Sequence, residues 1–402
     1  MANFQTRGGK GPIFVVGSPR SGTSILTWCL GQHANILPQE ESVWMGELAV
    51  SLGVQFQVGH KRGERSQLSA IGVDRDVFFS TFGDAINDLI LRHRSSLEQN
   101  SLLSAEQDPL QVHSAFSVSR SSLEPKLRWV DGTPEYSLYI CGLRKLFPDA
   151  KFVHIVRDVK AAVNSLLNFR PDGHLAFVET EQQAYEYWLR TVQACVQAEQ
   201  ALGSQVVHRL RYDDLVQRPE WAIRRVLEFL GEPFMSACIE PLVTQINSSK
   251  VPENFRASDP QTDTNLVGQA QQLSEQLQQP PVDHPPSSYA MHEFVAAFSQ
   301  RVAYAAGLDT QYGLANHEIG RLAAVISRLL MKLNWCGVML AAQLLLAIAV
   351  NLAVVTSRQT LPTTDKLLWL ITSVICTGAY VVIRPTSLRH LVARIIHKSL
   401  QK

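Results

Sequence analysis

The sequence predicts an α/β fold, a parallel sheet with helices on both faces, followed by a C-terminal transmembrane helical hairpin. Three observations predict it. Short apolar runs are each followed by a stretch of helical spacing, a glycine-bracketed turn joins the first such pair, and two uncharged apolar runs lie near the end of the 402 residues. Strands alternating with helices indicate a parallel sheet covered on both faces. Ligands of such sheets sit at the carboxyl ends of the strands.

The first strand is expected at Ile13–Val16, with a helix beginning over residues 24–30. Residues 50–128 are mostly helical in pattern with polar breaks, and are expected to be a substrate-covering insertion. KFVHIV, Lys151–Val156, is a second buried strand running into VKAAVNSLLNF. A third strand is expected over 205–210, and Pro219–Leu230 has helical spacing ended by Gly231. Residues 258–288 are rich in Gln, Pro, Ser and Asp and read as a mobile segment or lid with one short helical patch. A helix over 288–306 closes this domain, residues 1–310, and 311–335 form an amphipathic connector.

The hairpin, 336–383, consists of CGVMLAAQLLLAIAVNLAVV and LLWLITSVICTGAYVVI joined by a polar turn over 356–366. A bilayer crossing needs about 20 apolar residues. Arg321, Arg328 and Lys332 precede the first run, and a basic tail, 384–402, follows the second. That bias puts both ends in the cytoplasm, with two membrane spans between them. The alternative is a buried helical pair inside a soluble domain.

With 37 basic and 36 acidic residues the chain carries a net charge of +1, which argues against a nucleic-acid partner. Its six cysteines form no C-x-x-C pair, so neither a metal knuckle nor a disulfide framework is expected, and no secretory signal is read at the N-terminus.

The chemistry is concentrated in GSPRSGTS, residues 17–24. Gly17 and Gly22 permit a tight P-loop-like turn whose amides point into one concavity at a helix N-terminus. Ser18, Ser21, Thr23 and Ser24 add hydroxyl donors, and Arg20 adds a planar cation suited to oxyanions. A nucleotide-hydrolysing loop would need Lys at position 23, where this chain has Thr.

This loop resembles the 5′-phosphosulfate loop of sulfotransferases that use 3′-phosphoadenosine 5′-phosphosulfate (PAPS), in the P-R-S-G-T-[ST] form of tyrosylprotein sulfotransferases and bacterial relatives. Two further segments extend the resemblance. KFVHIVRDVKAAVNSLL is similar to the family's strand–RD–helix unit, which implies that Arg157 and Ser165 bind the 3′-phosphate. HRLRYDDL is similar to the R-Y-[ED]-x-L segment and implies a nucleotide contact by Tyr212. With Ser18, Arg20, Ser21, Gly22, Thr23 and Ser24, these residues form the expected PAPS site, whose product is 3′,5′-ADP, without a metal.

The same resemblance implies Glu41, of the Glu40-Glu41 pair, as the base and Arg20 as the catalytic cation. Adjacent carboxylates raise one another's pKa, although such a pair ahead of a helix also serves the helix dipole. Asp131 is another base candidate or a turn residue. His154 and His33 are expected to be core and packing residues.

One departure is Gly132 in VDGTPEYS, where many relatives carry Lys before T-P or D-P. Either Thr133 and backbone amides serve there, or Lys126, Arg128 or a basic group of the insertion substitutes, or activity is weak or lost. The implied activity is sulfuryl transfer to a hydroxyl, less commonly an amine, of a small-molecule, glycan or lipid acceptor near the membrane. A non-catalytic membrane protein with a nucleotide pocket and a nucleotide kinase or NTPase-like enzyme remain alternatives.

Overall fold

A computed structural model describes residues 11–107, 126–170, 177–243, 251, 252, 254–279 and 285–356. Five parallel strands form one sheet in the order β2-β3-β1-β4-β5: β1 Ile13–Val16, β2 Ile36–Pro38, β3 Arg128–Asp131, β4 Lys151–Val156 and β5 Val207–Arg211. The helices are α1 Thr23–Gly31, α2 Trp44–Gly59, α3 Gln67–Ala70, α4 Arg75–Gln107, α5 Ile140–Leu146, α6 Val159–Asn168, α7 Glu181–Leu202, α8 Tyr212–Gln217, α9 Pro219–Leu230, α10 Thr264–Gln278 and α11 Ser288–Thr356.

Strand periodicity sorts the core. Phe14 and Phe152 stack at 5.3 Å on one sheet face, where Trp129, Tyr136 and Phe147 complete an aromatic cluster. Ile13, Val15, Val153 and Ile155 face the other way, onto α1 and α9. Because β1 lies between β3 and β4, the chain order reverses there, and the crevice at the carboxyl ends of β1 and β4 is the expected ligand position.

The structure adds β2 and β3 to the three expected strands, and β3 begins at the last residue assigned to the insertion. Both are short. β3 also carries two charged residues, Arg128 and Asp131, each below 3% exposed. Arg128 Nη1 donates to the Leu230 carbonyl at 2.9 Å, 102 positions away, and lies 3.5 Å from Glu232 Oε1, which matches its charge.

The segment expected to be mobile contains a packed helix, α10. Ala270, Ser274 and Leu277 are buried, with Leu266 and Leu273 packed in the same cluster against α6 and α7. Ser274 Oγ accepts from the Val159 amide, 3.3 Å away, at the start of α6.

His154 is buried as expected, and it is paired with a carboxylate. Its Nδ1 lies 2.6 Å from Glu199 Oε1, and Arg209 binds the same carboxylate. Burial works against a charged imidazole, but Cys195 and Glu199 outweigh it and raise the His154 pKa to about 9. Burial likewise works against an ionised Glu199, and His154 and Arg209 outweigh it, lowering that pKa to about 2. The Glu199 contribution is present above its ordinary 4.5 and lost as pH falls through about 2. The His154 contribution is present below 6.5 and lost as pH rises through about 9. Removing one partner of such a pair costs about 3–5 kcal/mol. Glu199→Ala is therefore expected to lower the melting temperature by several degrees at pH 6, with the deficit narrowing at pH 10; an equal deficit at both would contradict the pairing. His33 packs and caps, its Nε2 3.0 Å from the Pro233 carbonyl oxygen.

The chain divides into two compact units, Met1–Asp309 and Thr310–Lys402. In the first, Phe294, Phe298 and Val302 of α11 enter the core. The second is helical as far as Thr356. Among the described residues one helix is long and apolar enough to cross a membrane: its most apolar stretch, within Ser288–Ala349, has a mean hydropathy of 1.6 and is unburied. The expected second span, 367–383, and the basic tail lie outside the described residues.

Candidate functional site

β1 runs directly into residues 17–22, and α1 starts at Thr23. Gly22 caps this helix with φ 101°, and a Cβ there would fall 2.6 Å from the ring of Tyr212. Only glycine fits. Arg20 is the sole non-glycine residue with positive φ among the described residues, at 67°. Such a conformation costs about 1–3 kcal/mol and persists when its surroundings enforce it. Ser137 supplies part of that enforcement: its hydroxyl accepts from the Gly17 amide at 2.8 Å and donates to the Gly17 carbonyl at 2.9 Å.

The first helical amide bonded within α1 is that of Leu26, to the Gly22 carbonyl at 3.1 Å. The preceding amides, at the positive end of the helix dipole, point into the crevice. Ser21 is buried, and its hydroxyl has no hydrogen-bond partner among the described residues. An orphaned donor beside a helix N-terminus fits an anion oxygen.

Around the loop, Arg20, Arg157, Ser165 and Tyr212 come together. Arg20 Nε donates to Ser165 Oγ at 3.3 Å, and its guanidinium lies 4.2 Å from the ring centroid of Phe169. Arg157 leaves the end of β4, donates from Nη1 to the Arg20 carbonyl at 2.9 Å, and stacks 4.7 Å from the Tyr212 centroid. Asp158 caps α6 by accepting from the Ala161 amide at 3.0 Å, which sets the helix that carries Ser165. Burial lowers the Arg20 pKa, Glu41 opposes this, and Arg157 adds to it. Two cations, Arg20 and Arg157, share a small volume beside the loop. Such a pair favours a multiply charged anion.

Of the remaining loop residues, Ser18 and Thr23 are buried, with the Ser18 hydroxyl turned onto the Pro19 carbonyl at 3.2 Å. Ser24 Oγ donates to Glu41 Oε1 at 2.5 Å, placing that carboxylate beside the loop. Loss of hydration raises the Glu41 pKa, and Glu135 and Glu40 add to this; the Ser24 hydrogen bond and Arg20 oppose it. Burial also pushes Asp131 up to about 7, against two hydrogen bonds from Thr133 and with repulsion from Glu41 and Glu40.

The place of the relatives' lysine is crowded. A Cβ at Gly132 would fall 3.3 Å from the Thr23 carbonyl oxygen of α1 and would collide with Thr27 Oγ1, so a side chain there requires Thr27 to move. Lys126 and Arg128 do not substitute for it, because both stand at the opposite end of β3 and Arg128 is committed to Glu232 and Leu230. Thr133 is committed as well, its hydroxyl donating to Asp131 Oδ1 at 2.6 Å.

Ser137 and Phe169 also shape the site, without a motif to mark them. Tyr187 and Glu135 join them, with Tyr187 Oη 3.4 Å from Glu135 Oε1. Among the described residues no group of three or more His, Cys, Asp or Glu side chains is arranged to hold a metal ion.

Comparison with known proteins gives a match to a family model described as the sulfotransferase family over residues 12–236. Protein-tyrosine sulfotransferase A of Caenorhabditis elegans is 25% identical over 222 residues, 55% of this chain and 50% of that protein. The protein-tyrosine sulfotransferase of Drosophila melanogaster is 22% identical over 249 residues, 61% of this chain and 44% of that protein. The chain spans about half the length of these curated relatives. Among solved structures, the sulfotransferase domain from the curacin biosynthetic pathway aligns with 73% of this chain and 96% of its own, at 20% identity and a TM-score of 0.35.

Proposed function

The chain belongs to the sulfotransferase family, and from that premise we propose that it transfers a sulfuryl group from PAPS to an acceptor hydroxyl. The observation that carries this reading is the convergence of Arg20, Arg157 and Ser165 on the amide end of α1, with Glu41 hydrogen-bonded to the same loop. Arg157 and Ser165 bind the 3′-phosphate, and the loop amides, that of Ser24 among them, hold the 5′-phosphosulfate with the Ser21 hydroxyl. Glu41 takes the acceptor proton as the acceptor oxygen attacks sulfur. Arg20 and the loop amides stabilise the charge that moves onto the 5′-phosphate oxygen as its bond to sulfur breaks. The products are the sulfated acceptor and 3′,5′-ADP.

The apolar helix and the second apolar run form a two-span hairpin with both flanks in the cytoplasm, in keeping with their basic residues. The acceptor is a hydroxyl-bearing small molecule, glycan or lipid presented near the bilayer.

The test uses the full chain in detergent and in vesicles, with radiolabelled PAPS and a panel of phenolic, glycan and lipid hydroxyls. The expected result is labelled acceptor, lost in Arg20→Ala. Magnesium-dependent ATP hydrolysis that survives Arg20→Ala, with no transfer from PAPS, would overturn the reading in favour of a nucleotide hydrolase. Tight 3′,5′-ADP binding without turnover of any acceptor would favour a non-catalytic nucleotide pocket.

A further inference from the structure

The segment that presents Glu41, residues 39–43, has no regular structure and hangs between the end of β2 and the start of α2. A base carried on such a segment needs outside contacts to hold it. Three are present. The Gln39 amide donates to the Val130 carbonyl at 2.8 Å, Ser24 Oγ donates to Glu41 itself, and the Ser42 amide donates to Thr133 Oγ1 at 2.7 Å. The last lies one residue from Glu41 and reaches across 91 positions to the end of β3.

Thr133 can accept from Ser42 only while its own proton points elsewhere. That proton has two candidates, Asp131 Oδ1 at 2.6 Å and the Ser42 carbonyl at 3.2 Å. The shorter bond, to the carboxyl oxygen, is the stronger. Asp131 Oδ1 also accepts from the Thr133 amide at 2.9 Å, so one buried carboxyl fixes both the backbone and the hydroxyl of Thr133. A simple aspartate turn accounts for the amide bond but not for the hydroxyl's reach to Ser42.

We propose that Asp131 and Thr133 are positioning residues that hold the Glu41 carboxylate against the phosphate loop through the Asp131–Thr133–Ser42 chain of hydrogen bonds. The proposal rests on the reading of Glu41 as the base. Asp131 and Thr133 are each 1% exposed, so neither reaches an acceptor directly, and their effect passes through the 39–43 segment. This gives Asp131 a role distinct from that of a base.

The test pairs hydrogen exchange with kinetics on the full chain. Thr133→Val keeps the shape and removes the hydroxyl; Thr133→Ser restores it; Asp131→Asn keeps the Oδ1 acceptor while Asp131→Ala removes it. In Thr133→Val the Ser42 amide is expected to exchange about tenfold faster, as befits one lost hydrogen bond. kcat for transfer from PAPS to phenol, a stand-in acceptor, falls about 100-fold, the scale of an ångström of misplacement. Affinity for 3′,5′-ADP stays within about twofold, because the donor residues are untouched. Thr133→Ser and Asp131→Asn recover both readouts toward wild type, and Asp131→Ala does not.

Unchanged Ser42 exchange in Thr133→Val would overturn the proposal, as would a loss of 3′,5′-ADP affinity as large as the loss of kcat, which marks a general structural role. A wild-type rate in Glu41→Gln would remove the base reading itself, and this outcome is separate because the exchange measurement does not depend on it.

Discussion

Replacing Glu41 by Gln is expected to lower kcat for sulfuryl transfer by about 10²–10⁴-fold, the usual contribution of a positioned base. The substitution keeps the side-chain oxygen that Ser24 Oγ meets at 2.5 Å, so geometry is preserved while proton acceptance is lost. Affinity for 3′,5′-ADP should hold within about twofold, which separates chemistry from binding. A pH profile adds a second check. Glu41 must be ionised to act, and loss of hydration, with Glu135 and Glu40 nearby, holds its pKa above the usual carboxylate range. Activity is therefore expected to rise with pH along an acid limb displaced upward from about 4.3. Glu135→Gln removes one repelling charge and should move that limb to lower pH; an unmoved limb would mean that another group titrates.

Arg157→Ala is expected to weaken 3′,5′-ADP binding by 100-fold or more. One Nη1 bond to the Arg20 carbonyl and the face of Tyr212 fix the guanidinium. Its remaining N–H groups have no carboxylate partner among the described residues. Two charge-assisted hydrogen bonds to a phosphate are worth about 1.5–3 kcal/mol each. Losing both accounts for that factor. Because the missing contacts are to the 3′-phosphate, binding of 5′-AMP should change far less.

Much of this site was legible because its parts are local. GSPRSGTS encodes a turn and a helix start within eight residues, and KFVHIVRD encodes a strand that ends on its arginine. Elements whose stability comes from remote partners were not. β3 hides two buried charges, Arg128 and Asp131, which only Glu232 and Thr133 explain. In α10, glutamines dilute the apolar face of Leu266, Ala270, Leu273 and Leu277, so composition suggested a mobile segment with one short helical patch where packing makes a helix of 15 residues. Ser137, which braces Gly17 from 120 residues away, has no local signature at all. Gly132 was visible as a departure, but its cause, the approach of α1 to the end of β3, exists only in three dimensions.

The central claim is that Arg157, Ser165 and the loop form a 3′-phosphonucleotide site. Calorimetric titration of the full chain with 3′,5′-ADP, beside Arg157→Ala, tests it most directly. Saturable binding to the wild type that weakens at least 100-fold in Arg157→Ala is the predicted result. Wild-type protein that ignores 3′,5′-ADP and binds ATP, with no dependence on Arg157, would contradict the claim and assign the loop to a different nucleotide.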